Sequence, residues 1–120
     1  MEFYREVFGG ELSISTFGSY DMGQDPAEND LVMHAQLETP AGFTLMASDT
    51  PSSMPYTAAA GFSVSLSGDD ETSLREWWNA LTDGGTMTMA LETAPWGGLF
   101  GMVTDRFGIA WMVSIAPAAA

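Results

Sequence analysis

Polar and apolar positions along this chain fall into two sets of elements built alike. From Met1 to Phe8 the apolar residues Phe3, Tyr4, Val7 and Phe8 recur at helical spacing, with Glu2, Arg5 and Glu6 on the other side. Gly9 and Gly10 stop that helix. Glu11 to Ser19 reads as a strand, with Leu12, Ile14 and Phe17 set among Ser and Thr, and Tyr20 to Asp30 as a polar loop containing Gly23 and Pro26. Leu31 to Glu38 alternates strictly: Leu31, Met33, Ala35 and Leu37 face one way, Val32, His34, Gln36 and Glu38 the other. Thr39 to Gly42 is a turn, which makes Phe43 to Ser48 the second arm of a hairpin.

The second set begins after a Pro-, Ser- and Ala-rich stretch, Asp49 to Ala60, that has no period and reads as a linker. Gly61 to Ser67 alternates Phe62, Val64 and Leu66 with serines. A helix is predicted from Glu71 to Thr82, striped by Leu74, Trp77, Trp78 and Leu81. Asp70 is its expected cap; Ser73 with Glu76 has the spacing of a competing capping box. Gly84 and Gly85 end it, and Thr86–Leu91, Leu99–Thr104 and Ile109–Ile115 supply three strands, the last two joined by a turn at Asp105–Gly108. The tail from Ala116 to Ala120 is expected to fray.

Gly42 and Gly108 each lead into a strand with Met four residues on, Met46 and Met112. The chain therefore repeats itself, and a repeat predicts fold ahead of any motif. Module two, residues 61–115, reads β-α-β-β-β. Module one, residues 1–49, reads α-β-β-β, and residues 50–60 link the two. The first helix also has no Ser, Thr, Asp or Asn before it as a cap. One strand and a turn, roughly 15–20 residues, are expected upstream.

Those segments carry a family resemblance. FYREVFGGEL (3–12), MHAQL (33–37), GFTLMASD (42–49), SLREWWNALTDGGTM (73–87), APWG (94–97) and FGMVTDRFGIAWM (100–112) resemble the vicinal oxygen chelate superfamily, nearest its PhnB-like branch. The resemblance spans nearly the whole chain. It implies an α+β fold in which two paired βαβββ modules form a curved mixed sheet around a cavity, here with the first strand of module one missing. It also implies a homodimer, and a function among glyoxalases, extradiol dioxygenases, thiol transferases and drug-sequestering resistance proteins. The methyltransferase label that such sequences carry finds no support, since no Gly-rich strand-loop-helix for S-adenosylmethionine is present.

Composition narrows the partners. The formal charge is −13, from 16 acids against three arginines and no lysine, a surface that repels nucleic acid and anionic membranes. The same charge serves solubility or an acidic groove for a cation. No apolar run approaches the roughly 20 residues of a membrane span, and no signal peptide is visible. Cysteine is absent, which excludes disulfides and thiolate chemistry and fits a cytoplasmic location.

The resemblance implies four inward strand positions at which superfamily enzymes hold a divalent metal through His, Glu or Gln. Aligned on the repeat, three of these are Met46, Ser63 and Met112; the fourth falls in the missing strand. Thioethers suit soft metals and a lone hydroxyl is a poor ligand, so no catalytic metal and no other cofactor is expected. His34 is the single histidine, on the mixed side of its strand with Gln36. Imidazole can act as a base near neutral pH, or as a ligand, or simply as a hydrogen-bonded cavity residue. Asp49 could orient a ligand or make an Asx turn. Trp96, between Pro95 and Gly97, could stack on a planar ligand or pack as a lid. Met102 joins Met46, Met87, Met89 and Met112 as an adaptable lining or as core filler. Arg106 could meet an anion or be merely solvated. The leading expectation is a small-molecule binder with an acidic, Met- and Trp-lined cavity; the alternative is a metal-dependent lyase or dioxygenase-like enzyme using His34.

Overall fold

The computed structural model describes residues 1–20 and 26–117. The expected loop at Gly23 and the end of the expected tail lie outside those residues. The chain divides into two compact units, Met1–Thr57 and Ala58–Ala120.

In the first unit, α1 (Glu2–Phe8) is followed by β1 (Glu11–Thr16), β2 (Val32–Glu38) and β3 (Thr44–Ala47), which form an antiparallel sheet in the order β1-β2-β3. The helix buries Phe3, Val7 and Phe8, and Phe8 meets Phe43 edge-on at 5.1 Å. The alternation of β2 is realised: Ala35 and Leu37 are buried while His34 and Glu38 are exposed. β1 ends at Thr16, three residues before the expected Ser19, because the chain there turns into a 3-10 turn at Gly18–Tyr20. The loop between β1 and β2 is fastened to the loop after β3: the Glu28 carboxylate accepts from the Ser52 N–H at 2.7 Å.

The second unit is β4 (Val64–Gly68), α2 (Glu71–Thr82), β5 (Thr86–Thr93), β6 (Leu99–Thr104) and β7 (Ala110–Ile115). Its sheet runs β4-β7-β6-β5, with β4 parallel to β7 and the other pairs antiparallel. This is the βαβββ module, made mixed by the crossover through α2. β4 starts at Val64, not Gly61, and β5 continues to Thr93 past the expected Leu91. The helix ends where the pattern places them. Asp70 is the cap and accepts from the Ser73 N–H at 3.2 Å and the Ser73 hydroxyl at 2.8 Å. Those bonds hold Asp70 below its ordinary carboxyl pKa, the Ser73 hydroxyl contributing most. The competing start at Ser73 is not used.

Leu74, Trp78 and Leu81 of α2 are buried, Trp77 only half so. They pack on one face of the sheet with Leu66, Val103, Trp111, Val113 and Ile115. The Trp78 ring needs Gly101 beneath it, where a Cβ would lie 2.8 Å from the indole. Trp111 donates its indole N–H to the buried Asp105 at 2.9 Å. Arg106 is not a free cation: it donates to the Asp83 carbonyl from Nε at 3.3 Å and Nη2 at 3.0 Å, satisfying an acceptor at the end of α2. No helix among the described residues is long and apolar enough to cross a membrane.

Candidate functional site

Because α2 covers one face of the second sheet, the other face is where its strands present side chains outward. Residues that are direct partners across a ladder share a face. The register therefore builds rows across the sheet. One row is Met89, Met102, Met112 and Ser65; the next is Glu92, Phe100, Ser114 and Ser67. Met102 and Met112 are half-buried and Met89 is 50% exposed. The ladder sets Ser65 opposite Met112, and Ser63, two residues earlier, precedes β4.

Trp96, in the loop between β5 and β6, lies against Phe100 of the second row. Its turn is closed by Gly97 N–H to the Ala94 carbonyl and Ala94 N–H to the Gly98 carbonyl, both 3.0 Å. Gly98 sits at φ 74°, and a Cβ there would lie 2.2 Å from the Ile115 carbonyl oxygen, so only glycine lets the turn close against β7. The result is a tryptophan 68% exposed, edge-on to Phe100 with ring centres 5.6 Å apart and planes at 69°. A cleft of about 250 Å³ opens beside them, lined by Met89, Glu92, Pro95, Trp96 and Phe100 among others. Trp96 also lines a second hollow, with Ser67, Gly97 and Ser114.

On the first unit the face opposite Ala35 and Leu37 carries a polar ladder. His34 Nε2 lies 3.1 Å from Gln36 Oε1, which accepts the ring N–H. Gln36 Nε2 donates to Glu38, and the Thr44 hydroxyl donates to Glu38 at 2.6 Å. The Thr44 and Gln36 bonds hold Glu38 below its ordinary carboxyl pKa. Met46 is the ladder partner of Gln36 and is 64% exposed. A shallow hollow of about 240 Å³ is lined by His34, Met46 and Ser48. Asp49 is occupied structurally: its carboxylate accepts from the Val32 N–H at 2.8 Å while its own N–H donates to the Val32 carbonyl at 2.8 Å.

These positions gather into two groups, His34, Gln36 and Met46 in one unit and Trp96, Met102 and Met112 in the other. Residues 1–113 match the glyoxalase/bleomycin resistance protein/dioxygenase superfamily. The chain belongs to that superfamily. It is 31% identical to protein YjdN of Escherichia coli, an alignment covering 94% of this chain and 83% of YjdN. It is 30% identical to the uncharacterized protein Mb0911c of Mycobacterium bovis, over 84% of this chain and 70% of that one. The crystal structure of protein PA1353 from Pseudomonas aeruginosa matches 98% of this chain and 86% of its own at 39% identity, with a TM-score of 0.81. A PhnB protein from Bacillus cereus, described as a putative 3-demethylubiquinone-9 3-methyltransferase, shares the fold at 23% identity and a TM-score of 0.69, over 97% of this chain and 88% of that one.

In this member of the glyoxalase superfamily the positions expected to hold a metal lie in both units, Met46 in the first and Ser63 and Met112 in the second. Met46 and Met112 offer thioethers and Ser63 or Ser65 a hydroxyl, whereas Fe, Mn, Ni and Zn take imidazole and carboxylate. Among the described residues no group of three or more His, Cys, Asp or Glu is placed to hold a metal ion. Two residues that matter in the structure had no motif to announce them. Glu92 lies in a strand of Thr, Met and Ala, and only its pairing with Phe100 brings it to the cleft. Asp105 looked like a turn residue; the burial that makes it a hub depends on Trp111, six positions on.

Proposed function

We propose that this glyoxalase-superfamily protein binds a small molecule on the open strand face of its second unit, at the cleft beside Trp96, and does so without a catalytic divalent metal. The observation that carries this reading is the exposure of Trp96 over a cleft whose other walls include Met89, Pro95 and Phe100 beside Glu92. A large indole left two-thirds in water, held there by a turn that only glycine can close, offers its ring to a ligand that enters the cleft. The Met89 thioether provides an adaptable wall beside it, and Met102 and Met112 continue its row across the sheet. The rest of the reading is a homodimer working in the cytoplasm.

The test is a ligand-observed NMR screen of aromatic and cationic fragments, run on the parent and on Trp96→Leu. Hits that lose about tenfold or more in affinity on removal of the indole are expected. Hits indifferent to Trp96 would move the site elsewhere. Elemental analysis of the untagged protein, repeated on His34→Ala, addresses the metal: stoichiometric Fe, Mn, Ni or Zn that falls in the variant would replace this reading with a His34-based enzyme. His34 is exposed, and the Gln36–Glu38 ladder fixes which ring nitrogen carries its proton.

A further inference from the structure

We infer that the Trp96 cleft selects the ammonium end of an organic cation. This rests on the small-molecule reading and gives that site its ligand class.

Three features converge. First, Trp96 and Phe100 meet at 69°, so the two rings form the walls of a corner and not a flat stack. The face of each ring is the negative end of its quadrupole, and a cation seated in the corner is attracted to both. Second, Glu92 is the direct ladder partner of Phe100 and lines the same cleft. Partners of that kind have Cβ atoms about 5 Å apart, so the carboxylate starts beside the corner. Among the described residues no hydrogen bond or ion pair engages it. Third, nothing basic competes. Each of the three arginines pairs with a carboxylate of its own: Arg5 with Glu2 at 2.6 Å, Arg75 with Glu71 at 3.0 Å, Arg106 with Asp83 at 3.3 Å. None of them lines the cleft.

The remaining walls refine the class. Met89 and Pro95 are apolar, and a cleft of about 250 Å³ exceeds what one ammonium fills. A small metal ion keeps its water and gains little from such walls. An alkylated ammonium sheds water readily and presents methyl groups to rings and thioether while its charge faces Glu92. The net charge of −13 concentrates cations near the surface and disfavours anions.

The experiment uses a matched pair of probes, choline and its neutral carbon isostere 3,3-dimethylbutan-1-ol, titrated into the whole protein. The readout is the indole NH signal of Trp96, assigned with Trp96→Phe. Choline is expected to shift that signal and to bind about tenfold more tightly than the alcohol. In Glu92→Gln, whose spectrum away from the cleft serves as the folding control, the preference should fall to about threefold or less. Equal binding of both probes at Trp96, or a preference untouched by Glu92→Gln, would overturn the inference and leave the small-molecule site standing. No shift of Trp96 with either probe, nor with the aromatic fragments of the screen, would overturn both.

Discussion

Asp105 is 4% exposed and accepts from the N–H groups of Phe107 at 2.8 Å and Ile109 at 3.1 Å and from the Trp111 indole at 2.9 Å. It thereby closes the β6–β7 turn and anchors the largest side chain of β7 in the core. Removing the carboxylate would strand those donors where water reaches them poorly, at about 1 kcal/mol or more for each. Asp105→Ala should therefore lose about 3–4 kcal/mol of stability, measured by urea denaturation, and Asp105→Asn clearly less, because the amide oxygen still accepts. A loss below 1 kcal/mol in the alanine variant would mean that the turn holds itself. Thr39 does the same job in the first unit: its hydroxyl oxygen accepts from the Phe43 N–H at 3.2 Å, as Asp105 does from Ile109. The two turns also share a backbone bond, with Gly42 and Gly108 donating to the Thr39 and Asp105 carbonyls at 3.0 Å each. A Thr and an Asp share no obvious motif, so the equivalence is visible only once the oxygens are seen in place.

At the scale of elements, legibility in the sequence followed how local the deciding force was. The helix α2 runs from Glu71 to Thr82 as its pattern predicts, because its stripe, its cap and its glycine stop all lie within a few residues of it. The pattern of β4 predicts a start at Gly61, three residues before the observed Val64, since its bounds are set by pairing with Trp111 to Ile115, far along the chain. The site was legible only in part for the same reason: Trp96 is announced by its Pro and Gly neighbours, Glu92 by nothing local. The cap makes a local prediction with a definite sign. Asp70 has its pKa lowered by Ser73, so the folded state favours the ionised form. The stabilisation is present above the ordinary Asp value and is lost as pH falls through the lowered one. Asp70→Ala should lower Tm by a few degrees at neutral pH. The gap between variant and parent should hold down to about pH 4 and shrink below it. A gap that widened in acid would contradict the cap's ionised role.

At the scale of the molecule, the internal repeat explains both what is alike and what has diverged. Counting three back from each turn aligns Gln36 with Met102, and counting five back aligns His34 with Phe100; Met46 and Met112 already correspond. One module carries hydrogen-bonding side chains at these positions where the other carries a thioether and an aromatic ring. The second sheet has an exposed margin. β5 is the edge strand of its sheet, with Met87 51% and Met89 50% exposed and no partner on its outer side among the described residues. A long, open strand edge is the feature that association removes, and a second copy of the chain is the occupant that the homodimer reading assigns to it. Sedimentation equilibrium should find a species of twice 12.8 kDa, and Met87→Lys, which places a charge on that margin, should shift it toward monomer. Salt provides the sharper check. Two protomers of charge −13 repel each other, so dimerisation should tighten as ionic strength rises. Choline held by Glu92 should loosen over the same range, because the attraction is screened. If salt drove both in one direction, either the dimer would be held by charge and not by its open edge, or the cleft would be reading something other than the cation.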